Sequence, residues 1–229
     1  MQHLAIIPDG NRRWAKKNKL QTFLGHKKGL SALKIAVEFC LKNNIKYLSF
    51  YAFSIENFNR SQTEKNYLFN YLLIEEFSSQ LPELIKQEVS VRFLGKRDLF
   101  PINTCDLIAQ TEEQTKNLKK LILNILFCYS AKNEISEAAK KIAQKVKAGI
   151  LLEDQIDENL FSQHLLTVGI PDPDLIIRTS GEKRISNFLL FQASYSEFIF
   201  LDCLWPDITM ADFDKCLHDF KNIKRNFGY

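Results

Sequence analysis

Residues 4–14 read LAIIPDGNRRW: four apolar residues, a proline, then Asp9, Gly10 and Asn11, with the pair Arg12 and Arg13 before Trp14. So short an apolar run, closed by Pro and Gly, reads as a buried strand ending in a tight turn. Asp9 then stands at the carboxyl end of the strand, and two guanidinium groups enter the helix that follows. This is a phosphate-site layout: Gly10 lets the backbone approach closely, N–H groups at a helix start bind anionic oxygens, and Arg offers forked contacts. A carboxylate beside phosphate is consistent with a hard divalent cation between them, because Mg²⁺ takes one or two carboxylates plus substrate phosphates and water. The alternative for a lone DGN is that Asp9 caps the helix and the arginines are solvated.

The same grammar repeats outward from this stretch. Apolar runs at Tyr47 to Phe53, Val89 to Leu94, Leu121 to Phe127 and Leu175 to Ile177 read as further buried strands. Between them lie stretches with helical spacing, such as Leu30, Leu33, Val37, Cys40 and Leu41, and the stretch from Glu64 to Ile85. Alternation of this kind implies an α/β fold: an open, mainly parallel β-sheet flanked by helices on both faces, with ligands beyond the carboxyl ends of the strands. No repeat, low-complexity tract or Gly/Ser linker interrupts it, so residues 1–229 are expected to form one domain.

Two more polar clusters follow strand ends. The first is YAFSIENFNR at 51–60, where Ser54 to Arg60 suits a lid over a charged ligand or a plain solvated loop. The second is IIRTSGEKRISN at 176–187, in which Arg178, Arg184 and Ser186 suit a second diphosphate. Glu197, in YSEFIF, needs a cation beside it, either an Arg or a metal, if it is buried in so apolar a setting. His26, in GHKKG, starts the helix carrying Leu30 and Leu33 and reads as a polar end group or a phosphate donor. Tyr67 to Phe77 (YLFNYLLIEEF) is apolar over most of its circumference, which periodicity alone assigns to a buried helix rather than a hydrocarbon channel.

Composition bounds the rest. A net charge of +4 from 31 basic and 27 acidic residues is too small an excess to argue for nucleic acid. Five scattered cysteines without a CxxC pair argue against a disulfide framework and a zinc site, so a reduced, cytoplasmic setting is expected. No apolar run approaches the roughly 18 residues of a membrane span. The 18 Phe, 7 Tyr and 2 Trp leave room for contact with a membrane surface.

Together, IIPDGNRRWA with GHKKG, YAFSIENFNR, and DLIIRTSGEKRISNFLLFQASYSEFIF with the following LWPD closely resemble the undecaprenyl diphosphate synthases, which are cis-prenyltransferases. The motifs run in order through nearly the whole chain. The resemblance implies a Mg²⁺-dependent homodimer that adds isopentenyl diphosphate to farnesyl diphosphate with cis double bonds. Its product would be a long polyprenyl diphosphate of the undecaprenyl kind, a carrier precursor for cell-wall synthesis released at a membrane.

By the same resemblance Asp9 assists the metal and departure of the allylic diphosphate, and Asn57 serves in proton removal. Gly10, Asn11, Arg12, Arg13, Trp14 and His26 would surround the allylic substrate. Ser54, Ile55, Glu56, Phe58 and Arg60 would form the mobile loop, and Arg178, Arg184, Ile185 and Ser186 would hold isopentenyl diphosphate. Glu197 would complete the metal site with Asp9, and Tyr67 to Phe77 would line a hydrophobic product tunnel. This chain departs from the family pattern at Arg12, Thr22, Phe58 and Lys183, and at Asn226 in the tail expected to reach a neighbouring subunit's site. A haloacid-dehalogenase-type phosphohydrolase would want an Asp where Asn11 stands. A non-catalytic partner subunit would have lost Asp9, Asn57 or the Arg178/Arg184 pair.

Overall fold

The run HLAII becomes β1 (His3–Ile7), buried along its whole length, and everything else is arranged around it. The chain continues through α1 (Asn11–Lys17), α2 (Thr22–Lys42), β2 (Tyr47–Ser54), a 3₁₀ turn at Ile55–Asn59 and α3 (Gln62–Asn66). A π-helical segment at Tyr67–Phe77 leads to α4 (Leu81–Lys86), β3 (Val89–Leu94), α5 (Ile102–Thr115) and β4 (Leu121–Tyr129). Then come α6 (Ala131–Lys147), α7 (Glu158–Ser162), β5 (Leu175–Arg178), β6 (Glu197–Phe200) and α8 (Met210–Asn222). The computed structural model describes residues 1–225, so the expectation placed on Asn226 and the tail lies outside the described residues.

The strands form one six-stranded sheet in the order β3-β4-β2-β1-β5-β6, and every neighbouring pair is parallel. The mainly parallel sheet expected from sequence is thus parallel throughout, with β6 a strand that the apolar-run reading passed over. From β1 the chain steps to β2 on one side, and β5 joins on the other. The crevice above the carboxyl end of β1 is therefore the switch point at which open α/β sheets bind ligands.

Alternation along β1 divides the core between two faces, as a strand's two-residue period requires. Leu4 and Ile6 pack with α2, the π-helical segment and α8, whereas Ala5 and Ile7 pack with Leu126, Tyr129, Ala131 and Phe188. Trp205, fully buried, locks the first face: its ring lies near Phe50 and Phe213, and Nε1 donates to the Gly29 carbonyl at 2.8 Å. Removing so large a ring costs about 3–5 kcal/mol. Beneath the sheet His3 is 2% exposed, with Nδ1 against the Pro171 carbonyl at 2.6 Å and Nε2 against Ser49 Oγ at 2.8 Å. Among the described residues no helix is long and apolar enough to cross a membrane.

Candidate active site

Two glycines set the geometry of the crevice. Gly10 has φ 113°, and a Cβ there would lie 2.9 Å from Leu204 Cδ2, so only glycine turns the chain sharply enough from β1 into α1. At Gly25 a Cβ would lie 2.1 Å from the Asn11 carbonyl oxygen, so α1 and α2 touch backbone to backbone. That contact fixes α2 beside the crevice and brings His26 to it. His26 is one turn inside α2, which begins at Thr22, and is buried, so it is not the helix-starting end group that the sequence suggests.

Asp9 follows β1 and meets Arg178 at the end of the adjacent β5. Arg178 Nη2 donates to Asp9 Oδ2 at 2.7 Å, and Nη1 donates to Ser186 Oγ at 2.8 Å and to the Arg184 carbonyl. Thr179 Oγ1 donates to the Asp9 carbonyl at 2.7 Å. Arg13 Nη2 lies 3.3 Å from Asp9 Oδ1, and the same side chain reaches the Ser180 carbonyl and Glu182. Burial pushes the Asp9 carboxyl up, but the hydrogen bond and charge of Arg178, joined by Arg13, outweigh it and hold Asp9 below the usual carboxylate value. Asp9 is therefore ionised over the physiological range.

The loop after β2 is a single 3₁₀ turn whose N-terminal end is closed by a capping box between Ser54 and Asn57. Ser54 N–H donates to Asn57 Oδ1 at 3.2 Å. That bond turns the amide oxygen towards Ser54 and leaves the Nδ2 donor pair as a group Asn57 can offer a ligand. Glu56 accepts from Asn187 Nδ2 at 2.6 Å, joining this loop to the segment after β5. Phe58 packs edge-on against Phe53 at 5.3 Å, and Ile55 sits beside Glu56 in the turn.

These elements enclose one cavity of about 310 Å³ whose polar lining includes Asp9, Asn11, His26, Ser54, Asn57, Arg60, Arg178 and Ser186. Its apolar lining comes from α2 and the π-helical segment, including Leu33, Leu68, Leu73 and Phe77. Residues from all three sequence clusters thus converge on one space. Other expected residues stand off from it. Trp14 Nε1 donates to Asp207 Oδ1 at 2.6 Å, Arg184 pairs with Glu182, Ile185 packs against the core on the second face, and Arg12 is largely exposed.

Within this chain the structure does not bring Glu197 beside Asp9, the residue it was expected to join at a metal. It opens β6 in register with Leu175 and Leu4, whereas Asp9 lies beyond Ile7, which is level with Arg178 and Phe200. The two residues are separated by at least roughly 10 Å along the strand direction and two strands across. Glu197 instead faces Arg225 Nε at 3.9 Å, beside the Arg225–Asp174 pair at 2.9 Å. An arginine is one of the two partners that its sequence setting called for. Among the described residues no group of three or more His, Cys, Asp or Glu side chains could hold a metal. Among the described residues Asp9 is the one carboxylate lining the cavity, which suits a cation held by one protein oxygen plus substrate phosphates rather than a protein cage.

Glu64 was missed by the sequence reading. Its carboxylate, 11% exposed, accepts from His26 Nε2 at 3.2 Å and Arg60 Nη1 at 3.1 Å and lies 3.9 Å from Arg12 Nε. The hydrogen bond from His26, with the charges of Arg60 and Arg12, holds its carboxyl below the usual value despite burial. The available signal was nearness in sequence: Glu64 follows Arg60 by four residues, across the Ser61 cap of α3.

Residues 7–228 match the sequence model of the family described as "Putative undecaprenyl diphosphate synthase". An isoprenyl transferase of Bacillus subtilis (strain 168) is 43% identical over 99% of this chain and 87% of its own length. A ditrans,polycis-undecaprenyl-diphosphate synthase ((2E,6E)-farnesyl-diphosphate specific) of Micrococcus luteus is 40% identical over 99% and 91%. The crystal structure of lavandulyl diphosphate synthase from Lavandula x intermedia in complex with dimethylallyl diphosphate superimposes with a TM-score of 0.96 at 36% identity, covering 100% of this chain and 98% of that one.

Proposed function

The chain belongs to the undecaprenyl diphosphate synthase family of prenyltransferases, and on that premise we propose how its residues carry out cis elongation of farnesyl diphosphate by isopentenyl diphosphate. The observation that carries the reading is the single cavity in which an ionised Asp9, the donors Asn57, Arg60 and Arg178, and an apolar wall meet. One part suits a diphosphate and the other a hydrocarbon. Neither the phosphohydrolase nor the non-catalytic subunit accounts for that pairing.

Elongation breaks the C–O bond between the allylic carbon and its diphosphate, forms a C–C bond to the terminal carbon of isopentenyl diphosphate, and releases one proton. Negative charge grows on the departing diphosphate, where cationic and N–H donors fixed in advance stabilise it most. His26, Arg60 and the backbone around Gly10 and Asn11 serve the allylic diphosphate. Arg178 and Ser186, with Arg184 and Ile185 alongside, serve isopentenyl diphosphate. Asp9 would hold Mg²⁺, which when bound neutralises leaving-group charge. Asn57, whose amide oxygen is engaged by Ser54, orients the reacting groups through Nδ2, and a diphosphate oxygen takes the proton.

The chain is proposed to act in the cytoplasm as a homodimer, delivering product to a membrane surface. In support of the dimer, β6 is the last strand of the sheet and leaves Phe198 37% exposed, a hydrophobic edge of the kind proteins usually cover. Purified protein supplied with Mg²⁺, farnesyl diphosphate and labelled isopentenyl diphosphate should yield chain-extended polyprenyl diphosphates with cis double bonds. Absence of any extended product across divalent metals would overturn the reading.

A further inference from the structure

We propose that Glu64 is a positioning residue: it stands behind the cavity wall and holds Arg60 and His26 so that a diphosphate meets two donors already in place. The proposal rests on the reading of this cavity as a diphosphate site. His26 and Arg60 both line the cavity, whereas Glu64 is not among its lining residues. A single oxygen, Oε1, accepts from both donors, at 3.2 and 3.1 Å. The carboxylate is therefore the shared anchor of two groups that come from different elements.

The anchor is itself fixed. Glu64 is in the first turn of α3, where its N–H donates to the capping Ser61 Oγ at 3.3 Å. On the other side, His26 belongs to α2, which the Gly25–Asn11 approach pins against α1. Glu64 thus transmits the rigid α1–α2 pair to Arg60, the residue that closes the 3₁₀ turn after β2. Without it, the Arg60 guanidinium would keep its contact with the Phe53 ring, 6.0 Å from the centroid, and a longer-range attraction to Asp9, and its rotamer freedom would return. Ordering a long arginine side chain beforehand spares the ligand that entropy on binding.

Charge alone predicts the opposite outcome. Glu64 places a negative charge beside Arg12 and Arg60 and accepts from His26, so its neutralisation should tighten anion binding if it were only a competitor for these donors. A positioning role makes neutralisation weaken it, and the sign discriminates.

The test is calorimetric titration of inorganic diphosphate, without metal or isoprenoid, into the wild-type chain, Glu64→Gln, Arg60→Ala and the double variant. Glu64→Gln is close to isosteric, and Glu64→Ala repeats the measurement without a substitute acceptor. The expected result is a loss of about tenfold in diphosphate affinity for either Glu64 variant, clearly smaller when Arg60 is already alanine, because only the His26 anchor is then left to lose. Unchanged or tighter binding by the Glu64 variants would overturn the proposal. So would losses that simply add in the double variant, which a general structural role would produce. A wild-type chain that does not bind diphosphate would instead overturn the cavity reading itself, and this inference with it.

Discussion

Arg178, 4% exposed, donates to Asp9 at 2.7 Å from the end of the neighbouring strand. It is the contact that joins the first sequence cluster to the third. The guanidinium serves Asp9, Ser186 and the Arg184 carbonyl at once, a fork that an ammonium group does not reproduce.

Arg178→Lys should therefore lower kcat/KM by at least about 100-fold, near 3 kcal/mol of transition-state stabilisation, in steady-state assays. With Arg178 replaced by methionine, burial of Asp9 is opposed by Arg13 alone, so its carboxyl should titrate higher. The acid limb of the residual pH–rate profile should then move to higher pH. A limb that stays in place would separate Asp9 from the titration.

His3 gives the fold a distinct pH dependence. Burial lowers its pKa from 6.5 to about 4, against the opposing pull of the Pro171 carbonyl and Asp174. With the folded value lowered, the unfolded chain binds the extra proton, so this contribution is complete above pH 6.5 and is lost as pH falls towards 4. Urea midpoints across that window should fall by the equivalent of roughly 3 kcal/mol at most. His3→Gln should flatten the fall, and an unchanged slope would refute the assignment.

The cavity of about 310 Å³ is at the small end of the roughly 300–1,000 Å³ usual for ligand pockets. Growth of a long product requires its wall to yield, and the wall includes the π-helical segment, a wide winding that is rare and recurs at functional sites. Leu73→Trp, placed on that wall, should shorten the products while leaving the first condensation in place. Chromatography of the chains checks this, and an unaltered length distribution would move the tunnel elsewhere.

Sequence displayed the buried sheet well because parallel strands covered on both faces are apolar along their length, as in HLAII and LILNILFCY. It hid β6, whose four residues are only partly buried at the sheet edge. It also hid the winding of Tyr67–Phe77, since an almost continuously apolar run has no period to read. The three clusters converged as expected because each follows a strand end in a parallel sheet. Glu197 did not, because it opens a strand, and in a parallel sheet that places it at the opposite end from Asp9. Glu64 escaped because the polar loop reads as complete at Arg60, and only the helix after it brings the carboxylate back.

The most direct measurement is turnover of Asp9→Asn, which keeps an oxygen for Arg178 and removes the charge. With Mg²⁺, farnesyl diphosphate and labelled isopentenyl diphosphate, the variant should melt close to wild type and lose at least about 100-fold in kcat. A folded Asp9→Asn protein with near-normal kcat would contradict the assignment of Asp9 as the centre of the site.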